Sequence, residues 1–134
     1  MGTWKVDSAL WPVVIHSVDG SLSNAEIDDY VRGATDVFLR SGSHVAIMDI
    51  SKMGSVSAYS RSRSAAWLKQ HRAQLALSCL GVAYVIPNAL LRFITMTVML
   101  VITLPMPYVV VSTRAEALLW AHQRLGSTDS AAPP

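Results

Sequence analysis

A chain of 134 residues that is 51% hydrophobic and only 15% charged is sized for one domain, and it is too apolar for intrinsic disorder over most of its length. Its single cysteine, Cys79, excludes an internal disulfide, and its four histidines (His16, His44, His71, His122) fall at no metal-ligand spacing, so neither a disulfide framework nor a metal site is expected. The net charge of +2 hides an asymmetry, because residues 1–49 hold seven acids against three bases whereas residues 50–115 hold seven bases and no acid.

Taken in chain order, Thr3–Asp7 and Pro12–Val18 predict two strands, the second carrying the run Val13, Val14, Ile15. Asp19-Gly20 is a turn signal, and Ser23-Asn24-Ala25-Glu26 has the capping-box spacing that opens a helix. Behind it Ile27, Tyr30, Val31, Ala34, Val37 and Phe38 recur at helical period, with Asp28, Asp29, Arg32 and Asp36 on the other face. His44–Ile50 reads as a strand covered on both faces, followed by the serine-rich stretch Ser51–Ser57. A second helix is expected over Ala58–Ala76, with Ala65, Leu68, Arg72 and Leu75 on one stripe, and then a buried strand over Leu80–Ile86. Asn88 is a cap for a third helix, which Pro105 must end. Tyr108–Val111 is the last strand, and Thr113-Arg114-Ala115-Glu116 is a second capping box that opens a helix running to Gly126. The small, Pro-containing segment 127–134 is expected to be a disordered tail behind a domain over 1–126. The order β-β-α-β-α-β-α-β-α predicts a single α/β domain with a central mixed sheet, parallel except for an antiparallel edge from the opening hairpin.

Twenty-one uncharged residues lie between Arg92 and Arg114, but Pro105 and Pro107 cut them short of the roughly 20 apolar residues a membrane span requires, so no stable membrane insertion is expected. Met1–Ser8 carries Trp4, Lys5 and Asp7 where a secretory leader would begin its apolar core, and the unpaired Cys79 sits among apolar neighbours; both predict a cytoplasmic protein. The third helix is apolar almost all round, and a helix outside a two-layer domain should show a polar face. Its residues Phe93, Met96, Met99 and Leu100 are therefore the candidate self-association interface, covered by a second copy of the chain, another protein or a membrane surface.

Three local marks carry a family resemblance over about residues 3–125: the strand end Met48-Asp49-Ile50-Ser51, the serine-bearing loop and helix start behind it, and the closing Ser112-Thr113-Arg114-Ala115-Glu116-Ala117-Leu118. In these marks and in its topology the chain resembles the STAS domains, the anti-sigma factor antagonist family, and the related STAS/SEC14-like bacterial proteins. The resemblance implies a STAS-like fold and a bacterial signalling protein that switches partners, the partner being an anti-sigma factor-like kinase that phosphorylates a serine in an Asp-Ser-Ser-Gly type motif. At the matching place this chain reads Ser57-Ala58-Tyr59-Ser60, with no acid and no glycine, which leaves Ser51, Ser55, Ser57 and Ser60 as the candidate phospho-acceptors or partner loop.

Lys52, Arg61 and Arg63 stand among those serines and are the candidate anion- or partner-binding bases, since a helix N-terminus and nearby guanidinium groups both attract anions. Asp49 is expected to cap the loop. No nucleophile–base pair, G-x-S-x-G elbow or phosphate-cradling glycine loop is present, so no catalytic residue and no cofactor is assigned. Only 7% of the residues are aromatic, no RNP-like signature is present and nothing puts the bases of the basic segment on one face, so nucleic acid is not the expected partner. The resulting expectation is a non-enzymatic regulatory or scaffold protein that binds protein and forms a homodimer. The alternative is a module that binds a nucleotide, an anion or a lipid at Ser51–Ser64.

Overall fold

In the computed structural model, which describes residues 2–40 and 42–131, the alternating strand and helix signals resolve into nine elements. They are β1 (Thr3–Asp7), β2 (Val13–Gly20), α1 (Asn24–Arg40), β3 (His44–Met53), α2 (Ala58–Ser78), β4 (Cys79–Val85), α3 (Ala89–Met99), β5 (Tyr108–Val111) and α4 (Arg114–Ala131). The predicted caps do their work. The Ser23 hydroxyl accepts from the Glu26 N–H (3.2 Å) while the Glu26 carboxylate accepts from the Ser23 N–H (2.8 Å), the reciprocal pair that satisfies two orphan donors of α1. Asn88 Oδ1 accepts from the Leu91 N–H (3.0 Å) at the start of α3. At α4 only half of the box forms: Thr113 Oγ1 accepts from the Glu116 N–H (3.1 Å), but the Glu116 carboxylate takes the hydroxyls of Ser112 and Thr113 instead of the Thr113 amide.

The sheet has the order β1-β2-β3-β4-β5, with β1 antiparallel to β2 and every later pair parallel. Three boundaries differ from the sequence reading. β3 extends past Ile50 to Met53, because β2 resumes pairing beyond a register shift between Ser17 and Asp19 and joins Asp19 to Lys52 and Gly20 to Met53. α3 stops at Met99, well before Pro105, and the chain leaves it through tightened turns in which the Leu100, Val101 and Ile102 amides each bond three residues back. α4 continues past Gly126 to Ala131, and residues 132–134 of the expected tail lie outside the described residues.

Strand alternation sends two different sets of side chains to the two faces. On one face Val13, Ile15, Val45, Ile47, Ala83 and Val85 close against Ala117 and Ala121 of α4, all buried, with the small alanines letting the helix sit close to the sheet. On the other, Ala46 and Val82 pack with Phe38 of α1 and Leu75 of α2. Within α2 the inward stripe is Trp67, Leu68, His71 and Leu75; Ala65 and Arg72, expected on that stripe, are exposed. α3 packs against β5.

Candidate functional site

The carboxyl end of the parallel strands is where an open α/β sheet usually presents its ligands, and Asp49 sits there on β3. Its carboxylate is fully engaged. Oδ1 accepts from the Ser51 hydroxyl (2.6 Å) and the Ser51 amide (3.2 Å), and Oδ2 accepts from Arg114 Nη2 (2.7 Å) and Nε (3.0 Å). Partial burial pushes this carboxyl up, but the bonds from Ser51 and Arg114 outweigh it and hold Asp49 below the usual carboxylate range. Asp49 does more than cap its loop, because it also ties the end of β3 to the first turn of α4 across 65 residues of sequence.

The serine-rich stretch is largely spent on its own architecture. Ser51 is held by Asp49, the Ser55 hydroxyl lies 3.2 Å from that of Ser21, and Ser57 caps α2 by accepting from the Ser60 N–H (3.0 Å). Ser51, Ser55 and Ser57 are exposed, and Ser60 is half-buried. Of the three bases assigned to anion binding, Arg63 donates to Asp28 of α1 (3.1 Å), which also accepts from the Tyr59 hydroxyl (2.6 Å); these two bonds hold Asp28 below its usual range. Arg61 donates to the Val56 carbonyl (2.9 Å). Neither Arg61 nor Lys52 makes an ion pair with the described residues. The structure therefore brings these residues into one region without converging their donors on a common point.

The same holds for the basic half of the chain. Arg63 and Arg114 pair with acids of the first half, while Arg72 donates to the Thr103 carbonyl (2.8 Å) and Arg92 to the carbonyls of Ile86 (3.0 Å) and Pro87 (2.7 Å). Two of the seven bases of residues 50–115 are thus paired with acids, and three more guanidinium groups are tied to backbone carbonyls. Among the described residues no group of three His, Cys, Asp or Glu could hold a metal ion.

The apolar third helix behaves otherwise. Phe93 is 64% exposed, and Leu90, Leu91, Ile94, Met96 and Val98 join it in an apolar surface that continues through Leu100 and Val101. The one charged side chain of α3, Arg92, is turned inward to the carbonyls below it, and the Thr95 and Thr97 hydroxyls bond back to the carbonyls of Leu91 and Phe93, so the face offers almost no free polar group. Three of the four residues assigned to self-association, Phe93, Met96 and Leu100, lie on it. The fourth does not: Met99 is only 8% exposed and packs inward, because at 100° per residue it falls on the side of α3 facing the domain. Among the described residues no helix is long and apolar enough to cross a membrane.

In the sequence His16 and His44 stand out only as histidines without metal-ligand spacing, and Tyr84 only as part of a strand. They lie on the face of the sheet opposite α4, and the available signal was their in-phase alternation with Val14, Ala46 and Val82.

No protein-family model matches this sequence, nor does any curated protein. Among solved structures, the chain is similar to the crystal structure of an uncharacterized DUF3478-family protein from Shewanella loihica PV-4, described as having a SpoIIAA-like fold, with a TM-score of 0.70 over 90% of this chain and 93% of that one, at 13% identity. The chain has a SpoIIAA-like fold. This is the STAS, or anti-sigma factor antagonist, architecture that the strand order and the Asp49–Ser51 strand end resemble. At that identity the likeness is one of architecture, and the side chains carry the rest of the argument.

Proposed function

We propose that this SpoIIAA-like domain is a non-catalytic, cytoplasmic regulatory or scaffold module that acts by binding protein, with self-association through α3. The observation that carries the reading is the uncharged apolar face of α3, which extends from Leu90 to Val101 with Phe93 near its middle. A soluble domain gains nothing by holding so many large apolar side chains in water, and contiguous patches of this kind mark interaction surfaces. Chemistry has little support elsewhere: the Cys79 thiol is buried and pushed up by that burial, so it is a poor nucleophile. The fold likeness adds partner switching with an anti-sigma factor-like kinase to this reading, with the exposed Ser55 and Ser57 at the start of α2 as the positions where phosphate would be read.

Sedimentation velocity of the wild-type chain and of Phe93→Glu tests it. The wild type should form a dimer whose population grows with concentration, and Phe93→Glu should be monomeric with an unchanged circular dichroism spectrum, since the side chain it replaces makes little of the core. A wild type that stays monomeric throughout overturns self-association. If Phe93→Glu assembles as the wild type does, α3 is not the surface.

A further inference from the structure

The two faces of the sheet are filled to different degrees. Against α4 the packing is closed, but between α1, α2 and the middle strands there is a cavity of about 270 Å³. An engineered apolar cavity of roughly 150 Å³ already admits benzene, so this space suits a two-ring or similar molecule. Its floor is a pair of rows across β2, β3 and β4. One row is Val14, Ala46 and Val82; the next, toward the carboxyl ends of the strands, is His16, Met48 and Tyr84, each in register with its neighbour. The small side chains of Ala34 on α1 and Ala46 on β3 leave the room, and the roof is aromatic, with Trp67 set edge-on to Phe38 at 5.5 Å between centroids.

Two features describe what fits. First, the wall is neutral. No acid, lysine or arginine lines it, and burial drives each of its ionisable groups toward the uncharged form: His16 down to about 4, His44 down, Tyr30, Tyr84 and the Cys79 thiol up. Second, a few polar atoms in the wall are unspoken for. His16 Nδ1 shares a 3.0 Å hydrogen bond with the Tyr30 hydroxyl, and the Trp67 indole N–H donates to Thr35 Oγ1 (2.7 Å), but the Tyr84 hydroxyl and His16 Nε2 have no hydrogen-bond partner among the described residues. They are two strands apart in the same row, roughly 10 Å between backbones, close enough for their side chains to flank one bound group.

We infer that the space between α1, α2 and the sheet is a binding site for a small, uncharged, mainly apolar molecule carrying one hydrogen-bonding group, which the Tyr84 hydroxyl and His16 Nε2 receive. Apolar walls with a few convergent polar atoms are the usual anatomy of such sites. The site touches the Ser51–Ser64 segment only at Ser64 and includes none of the exposed α3 side chains, so it stands whether or not the chain self-associates.

Calorimetric titration and thermal unfolding with 2-naphthol and with 2-naphthoate test it on the full chain. 2-Naphthol should bind and raise the melting temperature, and the carboxylate of matching shape should bind at least about tenfold more weakly, since the neutral wall offers its charge no partner. Tyr84→Phe should weaken 2-naphthol about three- to tenfold, the effect of one hydrogen bond. Ala46→Leu, which fills the floor, should abolish binding while keeping the circular dichroism of the wild type. If Ala46→Leu does not fold, the Tyr84→Phe comparison decides alone. The inference is overturned if 2-naphthol fails to bind the wild type, if the two probes bind equally, or if both variants bind as the wild type does.

Discussion

Acidifying the solution should weaken this fold through His16, by an amount that follows from where its imidazole sits. Its ring is enclosed between β2 and α1, bonded to Tyr30 and near His44, and burial with a smaller contribution from His44 lowers its pKa from 6.5 to about 4. The unfolded chain therefore takes up a proton between those values while the folded chain does not, so protons favour the unfolded state as the pH falls through that window. At pH 7.5 neither form is protonated and the contribution is complete. At pH 5 the unfolded imidazole is almost fully charged and the folded one almost neutral, which lowers stability by about 2 kcal/mol. Below pH 4 both forms are charged and the loss levels off near about 3 kcal/mol. Urea denaturation of the wild type and of His16→Asn, at pH 7.5 and at pH 5, isolates the effect. The amide can keep a bond to Tyr30 but does not titrate, and the parallel contribution of His44, also lowered by burial, is common to both proteins. The wild type should lose about 2 kcal/mol more than the variant between the two conditions. Equal losses would show that His16 is not held neutral by its surroundings, and the neutral character argued for the cavity wall would lose one of its supports.

Two further substitutions probe packing and capping. A Cβ on Gly81 would lie 2.5 Å from the tip of the Trp120 ring, so Gly81→Ala should lower the urea midpoint by an amount equivalent to about 1–3 kcal/mol, and Trp120→Leu in the same chain should recover part of that loss. Ser57→Ala removes the cap of α2 and should cost about 1 kcal/mol in chemical denaturation, whereas Ser57→Asp should retain most of the stability because aspartate caps as well as serine.

Much of this architecture was legible in the residues because its signals are local. The Ser23–Glu26 pair, Asn88 and the strand runs each act within a few residues, and the right-handed crossover rule then converts their order into a parallel sheet with one antiparallel edge. What escaped the reading depends on distant parts of the chain. Nothing near Ile50 announces that β3 continues to Met53, since that extension exists only because Asp19 and Gly20 pair with it. The serines and bases of residues 51–64 looked available because their partners, Ser21, Asp28 and the Val56 carbonyl, are supplied by tertiary placement or by the turn itself. Met99 was grouped with its exposed neighbours because a helix apolar all round gives no phase from which to tell inside from outside. The cavity is hardest to foresee. Ala34 and Ala46 read as ordinary core, and emptiness is a property of how α1 and α2 stand off the sheet, not of any residue.

The sheet ends in β1 on one side and β5 on the other, strands of five and four residues. Edges this short offer an incoming strand only a few ladder bonds, too little to seed extended β-pairing between molecules. Growth by strand addition is thereby discouraged at both borders, while the helix flanking β5 carries the sticky surface. Contacts made by a helix face can close between two copies about a twofold axis, so the self-association proposed for α3 would give a small, finite assembly instead of a fibre.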